Sequence, residues 1–433
     1  MSGIPIKPQN LPEKLVWYYI ISTYAIYFLG AHFVLTPLLA SFLVVYLILK
    51  WWNQTEETPL AEKITISPSV WVWLFAMLVI EFALIVGHLN FELGIPTLIK
   101  SSQLWYRTWA LFVLFPLAGH LNIRPQLIYR AVCILCLQSL IIVLIGATAD
   151  FIGIPNIAYI SPLKATGGMS IQYEVKIFHG IKERLVLFAV WPTFLALLGS
   201  IYFCFAVQET DKKWRFIGML SSVFMIISSQ SRTATVGLPV IIVAVWLLTN
   251  IYKPWVQLAT AFMSFWVGLF AQGLIDFIKN FKEQFDKFRA GSSKIRGIIY
   301  RMSLERWWHE APIWGFGIRD ETPAITVHLP LGTHNTWFGA LYSYGLVGCV
   351  ALGVAFLWTF IDLLIKAQTS DVAKVGLSII LILLLGSLAD NLEVFAYLYW
   401  PGLIVLGAAF KENPSQCLTD LSQNIQDSPR YNS

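Results

Sequence analysis

Long hydrophobic runs separated by short polar segments fill the chain from its first residues to about residue 410. Most runs are about 16 to 25 residues long, which is the length that a helix needs to cross a ~30 Å hydrocarbon layer. The pattern predicts an all-α fold, a polytopic helical bundle of about twelve transmembrane helices. The predicted spans are a hairpin within 16–52 that turns near 30–37, and single helices at 70–89, 104–119, 127–147, 185–207, 216–229, 234–251, 255–275, 336–361, 375–389 and 394–410.

Composition supports a membrane protein and excludes a soluble one. Of the 433 residues, 57% are hydrophobic and only 13% are charged, whereas soluble domains contain about 25% charged residues. So few charges cannot cover the surface of a globule of this size, but they suffice for a protein whose main solvent is the lipid bilayer. No repeat interrupts the chain, so we expect residues 1–433 to form a single membrane domain.

The distribution of basic residues predicts the orientation of the bundle. With both termini in the cytoplasm, the short loops place most of the flanking Lys and Arg inside, as the positive-inside rule requires. The net charge of +5 follows from this flanking excess and gives no reason to expect a nucleic acid partner. The polar tail 411–433 is then cytoplasmic. The basic residues predicted inside are Arg124, Arg130, Lys212, Lys213, Arg215, Lys253, Lys366, Lys374 and Lys411.

The same orientation places two long segments outside, 148–184 and 276–335. The second contains nine Lys or Arg, which indicates an anionic partner. It is predicted to hold an amphipathic helix on the outer leaflet, with Phe277, Phe281, Phe285 and Phe288 on one face. A second helix is predicted from about Lys294 to Glu310, ended by Pro312 and the turn residues Gly315 and Gly317. The alternative is a loop that only packs across the bundle.

Metal and redox chemistry have little support in the sequence. Cys133 and Cys136 form a C-x-x-C, but they lie in an apolar helix, where buried small hydrophobic residues are the simpler interpretation. The outer segments contain no D-x-D motif, and the histidines lack metal-ligand spacing. We therefore predict neither a metal site nor a cofactor.

A short motif marks the point where the second outer segment re-enters the membrane. His334 and Asn335 are followed, after nine residues, by Gly345 and then by Gly348. The resulting pattern, H-N-x9-G-x-x-G, resembles the signature of the O-antigen ligase and O-antigen polymerase superfamily.

Two further segments carry the same resemblance, which covers mainly residues 216–352. The segment 229–234 reads Ser-Gln-Ser-Arg-Thr-Ala and is similar to the S-x-S-R-T/G element of the family. The second is similar to the family's R…W…P…G-x-G loop element, and its residues are Arg301, Trp307, Pro312, Gly315 and Gly317.

The resemblance implies a membrane glycosyltransferase with a GT-C-like bundle. It implies transfer of a glycan from a polyprenyl pyrophosphate carrier to a lipid-linked or glycan-linked acceptor, at the periplasmic face of the bacterial inner membrane, without a metal. The outer segment 276–335 would carry part of the active site. Ligases and polymerases share the motif, so both remain open.

Guanidinium groups are the available partners for the departing pyrophosphate, because they form paired charge-assisted hydrogen bonds. Arg232, at a predicted outer helix end, and Arg301, in the loop element, are the predicted pyrophosphate-binding residues. The alternatives are an interfacial arginine at 232 and an i,i+4 ion pair of Arg301 with Glu305.

His334 is the predicted catalytic base. A neutral imidazole accepts the proton of an acceptor hydroxyl as its oxygen attacks the anomeric carbon, and attack opposite the pyrophosphate inverts that centre. A helix-end histidine that only donates a hydrogen bond is the alternative. Additional candidate substrate contacts are Arg306, Arg319 and Trp307, for which solvated charges and an interfacial indole are the alternatives.

A small-anion transporter, for example of bicarbonate, is the competing function. Transporters usually carry ionisable residues near the middle of broken helices, whereas the basic candidates here gather at one wet face. The polar turn with Asp390, Asn391 and Glu393 is interpreted as a short outer connection, with an acceptor or catalytic contact as the alternative.

Overall fold

The computed structural model describes most of the chain. It covers residues 6–57, 59, 63–153, 159–163, 174–175, 177–179, 184–273, 275–276, 279–280, 290–319 and 330–412. The four phenylalanines of the predicted amphipathic helix, residues 413–433 of the predicted tail, and most of 148–184 lie outside these ranges.

The predicted all-α fold is confirmed. The only strands in the described part are two antiparallel pairs of two-residue strands, β1 (Tyr159–Ile160) with β2 (Glu174–Val175) and β3 (Phe178–His179) with β4 (Arg184–Leu185). The helices are α1 (Leu11–Ile21), α2 (Thr23–Leu29), α3 (His32–Trp52), α4 (Pro68–Asn90), α5 (Ile95–Arg107), α6 (Leu111–Ala118), α7 (Pro125–Phe151), α8 (Pro192–Val207), α9 (Lys212–Ser228), α10 (Arg232–Asn250), α11 (Pro254–Leu269), α12 (Ala290–Glu310), α13 (Thr336–Lys366), α14 (Asp371–Ala389) and α15 (Ala396–Phe410).

Among the described residues, seven helical segments are long and apolar enough to cross a membrane, and α8 is a shorter apolar helix. The protein is therefore a multi-pass membrane protein, while the predicted count of about twelve spans is not confirmed. The seven segments are His32–Trp52, Pro68–Asn90, Pro125–Ala149, Arg232–Asn250, Thr336–Lys366, Asp371–Ala389 and Leu392–Phe410.

The chain turns between its first two hydrophobic segments at Gly30, as the sequence predicted. Gly30 has a φ of 71° and ends α2, and α3 begins two residues later. This left-handed conformation suits glycine because it has no Cβ atom.

The hydrophobic run 104–119 is not one helix. α5 ends at Arg107 and α6 begins at Leu111, with Thr108 at the break. The Thr108 hydroxyl donates to the Leu104 carbonyl at 2.7 Å. Because α5 has 13 residues and α6 has eight, whereas a spanning helix needs about 20, neither helix spans the membrane alone.

The helices run between two ends of the bundle. At one end, α13 begins where α14 finishes, next to the start of α8 and of α10. We call this the site end, because it holds His334. At the other end, which we call the far end, α13 finishes and α7 and α14 begin.

Ion pairs with buried carboxylates connect the helices at the far end. Glu13 accepts from the Arg124 Nε and Nη2 atoms at 2.7 and 2.9 Å. Arg130 and Glu209 form a second bidentate pair, with side chains 9% and 0% exposed. The Lys366 ammonium donates to the carbonyl of Phe410 at 2.9 Å, which joins α13 to α15. These contacts gather several of the predicted inner basic residues at one end.

Candidate functional site

The loop 330–335, which carries His334 into α13, is held by α12. The Tyr300 hydroxyl donates to the His334 carbonyl at 2.6 Å. One helical turn further along, the Ser303 hydroxyl accepts from the Gly332 N–H at 2.9 Å. Because Tyr300 and Ser303 are three residues apart, they lie on one face of α12, and both hydrogen-bond the backbone of the loop.

Asn335 ties the same loop to the first turn of α13. Its Oδ1 atom accepts from the N–H groups of Trp337 and Phe338 at 2.9 and 3.1 Å, which is the geometry of a helix N-cap. Its Nδ2 group donates to the Leu388 carbonyl in the last turn of α14 at 3.1 Å. Asn335 thus fixes the start of α13 against the end of α14.

The turn between α14 and α15 places a carboxylate beside His334. The Nδ1 atom of His334 is buried without a hydrogen bond among the described residues and lies 3.8 Å from the Asp390 Oδ1 atom. The other oxygen of Asp390 accepts from the Thr193 hydroxyl, at the start of α8, at 3.0 Å. Asp390 is therefore held in place next to the imidazole.

Burial lowers the pKa of His334, because the charged imidazolium is less well solvated inside the protein. Asp390 raises this pKa, while the positive charges of Arg296 and Arg319 lower it further. The combined effect is a pKa below the usual value for histidine. His334 is therefore neutral near pH 7, which is the form that a general base requires.

Two arginines approach His334 from different elements. Arg296, on α12, donates from Nη1 to the carbonyl of Ala389 at 3.3 Å, one residue before Asp390. Arg319, in the segment that follows α12, donates to Glu393. Glu393 is only 4% exposed. Two arginines and two carboxylates, Asp390 and Glu393, therefore surround the imidazole.

Arg301 lies on a different face of α12. Ile299 and Ser303 are buried, and Arg301, halfway between them in sequence, is exposed. Arg296 and Tyr300, four residues apart, share the face that meets His334. None of the ion pairs among the described residues joins Arg301 to Glu305, so the predicted alternative of an i,i+4 pair is not formed.

Arg306 and Trp307 support the loop that follows α12. Arg306 pairs with Glu310 at 3.1 Å and lies over the ring of Phe316 at 4.9 Å. The Trp307 indole donates to the Pro312 carbonyl at 3.0 Å. Both side chains thus stabilise this loop, and their substrate contacts stay a prediction.

Arg232 is the first residue of α10 and is half-buried at the site end. Its neighbours Ser231 and Thr233 line a small cavity together with Thr193 and Asp390. The cavity has a volume of about 30 Å³, which is room for a water molecule but not for a sugar. The start of α10 is thus adjacent to Asp390, although no contact between Arg232 and His334 is seen.

Gly345, in the motif that begins at His334, lies against the turn that contains Gly315 and Gly317. Gly345 interrupts α13 with a φ of 64°, and a Cβ atom there would lie 2.2 Å from the Ile313 carbonyl oxygen. The N–H groups of Phe316 and Gly317 donate to the carbonyls of Tyr342 and Ser343 at 2.9 and 2.8 Å. The kink therefore packs against the segment 311–319, which positions Arg319 near His334.

No group of three or more His, Cys, Asp or Glu among the described residues could hold a metal ion. Cys133 and Cys136 are buried in α7 and not joined to each other. Both cysteines are packed in the interior in the same way as small hydrophobic residues.

Arg296 was not among the residues predicted from the sequence. Its four-residue spacing from Tyr300 places both on one face of α12, but this spacing is hard to recognise because nine basic residues share the segment. Asp390 was named only as part of a polar turn, since its distance to His334 follows from how α14 meets α13.

Comparison with known proteins agrees with this arrangement. A family model described as O-antigen ligase matches residues 217–353. This range includes Arg232, α12, His334, Gly345 and Gly348. No curated protein matches the chain. Residues 217–353 thus match the O-antigen ligase family model, and this match supports the predicted resemblance to the O-antigen ligase and polymerase superfamily.

Proposed function

We propose that the protein transfers a glycan from a polyprenyl pyrophosphate carrier to a lipid-linked or glycan-linked acceptor. The site end would face the periplasm, from the inner membrane of a bacterium. The O-antigen ligase match and the apolar helices support the coarser role of glycan transfer at a membrane. The observation that carries the finer proposal is the partly buried imidazole of His334 beside Asp390, with Arg296 and Arg319 around it.

His334 acts as the general base in this proposal. The acceptor hydroxyl gives its proton to the neutral imidazole while its oxygen forms a bond to the anomeric carbon. The bond from that carbon to the pyrophosphate oxygen breaks, and the electron pair leaves with the polyprenyl pyrophosphate. Attack and departure on opposite faces invert the anomeric centre. Asp390 stabilises the imidazolium that forms.

Arginines hold the departing pyrophosphate, and no metal is needed for that task. Arg232 keeps its predicted role at the start of α10. On α12, the face that meets His334 carries Arg296, so we assign the pyrophosphate contact to Arg296 and place Arg301 outside the reaction. Arg319 is a further candidate contact, for which the phosphate would compete with Glu393.

The test is transfer by purified protein in detergent, with EDTA present. A polyprenyl pyrophosphate oligosaccharide is mixed with candidate lipid-linked and glycan acceptors, and the products are sized. We expect transfer by the wild type and a loss of about 100-fold or more in His334→Ala, the size typical of a general base. His309→Ala is the matched control, because His309 is exposed at the end of α12.

Two outcomes would count against the proposal. If His334→Ala keeps the wild-type rate, His334 is not the base. If no acceptor is used and the protein instead takes up small anions saturably in proteoliposomes, the protein is a transporter.

The arginine assignment has its own test. Because an ammonium cannot reproduce the paired hydrogen bonds of a guanidinium, Arg296→Lys should lower kcat by about tenfold or more. Arg301→Lys, on the exposed face of the same helix, should stay within about twofold of the wild type. The reverse order would return the role to Arg301.

A further inference from the structure

α11 is an apolar helix that the rest of the described bundle hardly covers. Val256 is its only buried residue. Between α11 and the second half of α10 lies a cavity of about 580 Å³. Most of the residues lining it are apolar. They include Val243, Trp246 and Leu247 of α10 and Val256, Ala259, Met263 and Val267 of α11. We call this the α10–α11 groove.

A continuous apolar stripe joins this groove to the site end. Val236, Val240 and Val243 are 50%, 59% and 55% exposed. With Arg232 before them and Leu247 after them, they follow each other at intervals of three or four residues. Residues at this spacing lie on one face of a helix. The stripe thus begins at Arg232 and ends in the groove.

The dimensions suit a long, thin hydrocarbon chain. Arg232 and Leu247 are fifteen residues apart, which is about 22 Å along the helix axis. This length covers most of the ~30 Å hydrocarbon layer. The whole surface therefore presents a cationic group at one end and an apolar channel below it, which is the form of an anionic lipid with a long chain.

We propose that the α10–α11 groove binds the polyprenyl chain of the donor, with its pyrophosphate at Arg232. The inference rests on the proposed function, since that is what places a polyprenyl pyrophosphate at Arg232. An ordinary phospholipid also has an anionic head, but its binding would not depend on the transfer site. The groove opens to the surrounding lipid, so the donor enters sideways from the bilayer.

Filling the groove should weaken binding of long donors selectively. Ala259 lines the groove, whereas Ala261, two residues along the same helix, does not. We measure KM for one oligosaccharide carried by a long polyprenyl pyrophosphate and by a short, water-soluble prenyl pyrophosphate. In Ala259→Trp the ratio of the long-donor KM to the short-donor KM should rise about tenfold, because apolar contact area is lost. In Ala261→Trp the ratio should not change.

A binding measurement that needs no turnover accompanies the kinetics. A polyprenyl pyrophosphate with a photoreactive group near the end of its chain is crosslinked in membranes, and labelled peptides are identified by mass spectrometry. We expect label on residues 243–268, lost in Ala259→Trp and kept in Ala261→Trp.

The two proposals fail in different ways. If the wild type transfers the glycan but the KM ratio is unchanged in Ala259→Trp, only the groove proposal is overturned. Label found outside residues 243–268 has the same consequence. Equal labelling by a photoreactive phospholipid, or crosslinks between two copies through α11, also overturns it. A wild type that transfers from neither donor overturns the proposed function, and the labelling pattern still decides what the groove binds.

Discussion

The chemistry of the candidate site depends on how one imidazole is surrounded. His334 lies 3.8 Å from the Asp390 carboxylate and within the field of Arg296 and Arg319. Burial and the arginines keep the ring neutral, while Asp390 favours the protonated form. The balance gives a ring that is neutral before the reaction and is stabilised once it has accepted a proton.

Removing the charge of Asp390 should change the pH dependence of transfer. Asp390 raises the pKa of His334, so Asp390→Asn lowers that pKa further. A base works when it is deprotonated, which for His334 means above its pKa. The acidic limb of the kcat/KM profile should therefore move to lower pH, and kcat should fall because the imidazolium loses its partner.

The control for this prediction is Asp371→Asn, which removes an exposed carboxylate at the far end. Its pH profile should match the wild type. An acidic limb that stays in place or moves to higher pH in Asp390→Asn would show that Asp390 does not act on His334.

The sequence could predict the residues of this site that lie within one motif. His334 and Asn335 are recognisable because they are adjacent in the chain and come directly before a hydrophobic run. Asp390 and Arg296 could not be paired with His334 in the same way. Their proximity depends on which face α12 turns towards the loop and on where α14 ends, and neither follows from local spacing.

At the scale of elements, the kink of α13 connects the two halves of the motif. Gly345 takes a left-handed conformation and contacts the backbone of Ile313 and Gly315. Gly345 with Gly348, and Gly315 with Gly317, were recognisable in the sequence as separate motifs, but their contact was not. Residues 104–119 were predicted as one span, because hydrophobicity alone does not reveal the break at Thr108.

Adding a methyl group at Gly345 should displace the loop that carries Arg319. In Gly345→Ala the Cβ atom would meet the Ile313 oxygen at 2.2 Å in a left-handed backbone. We expect a loss of about 2 kcal/mol or more in the free energy of unfolding, together with a large loss of transfer. Thermal unfolding in detergent and the transfer assay measure the two effects.

Gly353 in the same helix provides the matched control. Its nearest neighbour beyond the helix backbone is a Trp337 ring atom at 3.8 Å, so a methyl group fits. Gly353→Ala should be neutral or stabilising by up to about 1 kcal/mol, because alanine is the better helix former. Equal behaviour of the two variants would contradict the role given to the kink.

For the whole molecule, two ion pairs with buried carboxylates and the candidate chemistry are located at opposite ends of the bundle. The far end contains the pairs of Glu13 with Arg124 and of Glu209 with Arg130. The site end contains the imidazole, the arginines and the small cavity at Asp390. The positive-inside pattern indicated which basic residues gather together, but not that their partners are buried carboxylates.

Breaking a far-end pair should reduce stability without changing the reaction. Glu209→Gln removes the closer carboxylate from the buried Arg130 and leaves only that of Asp211, 3.8 Å away, which costs up to about 3–5 kcal/mol. We expect a lower Tm and an unchanged kcat per folded molecule. Glu310→Gln, which breaks an exposed pair with Arg306, should cost less than about 1 kcal/mol. A similar Tm for both variants would show that burial of the Arg130 pair is unimportant.

The backbone of His334 has one further consequence. Its φ of 62° lies in the left-handed region, where a residue other than glycine has a conformational strain of about 1–3 kcal/mol. Glycine at this position would relieve the strain and remove the imidazole. Selection for thermal tolerance and selection for turnover therefore favour different residues at position 334. A stability-guided redesign of the protein should leave this position untouched.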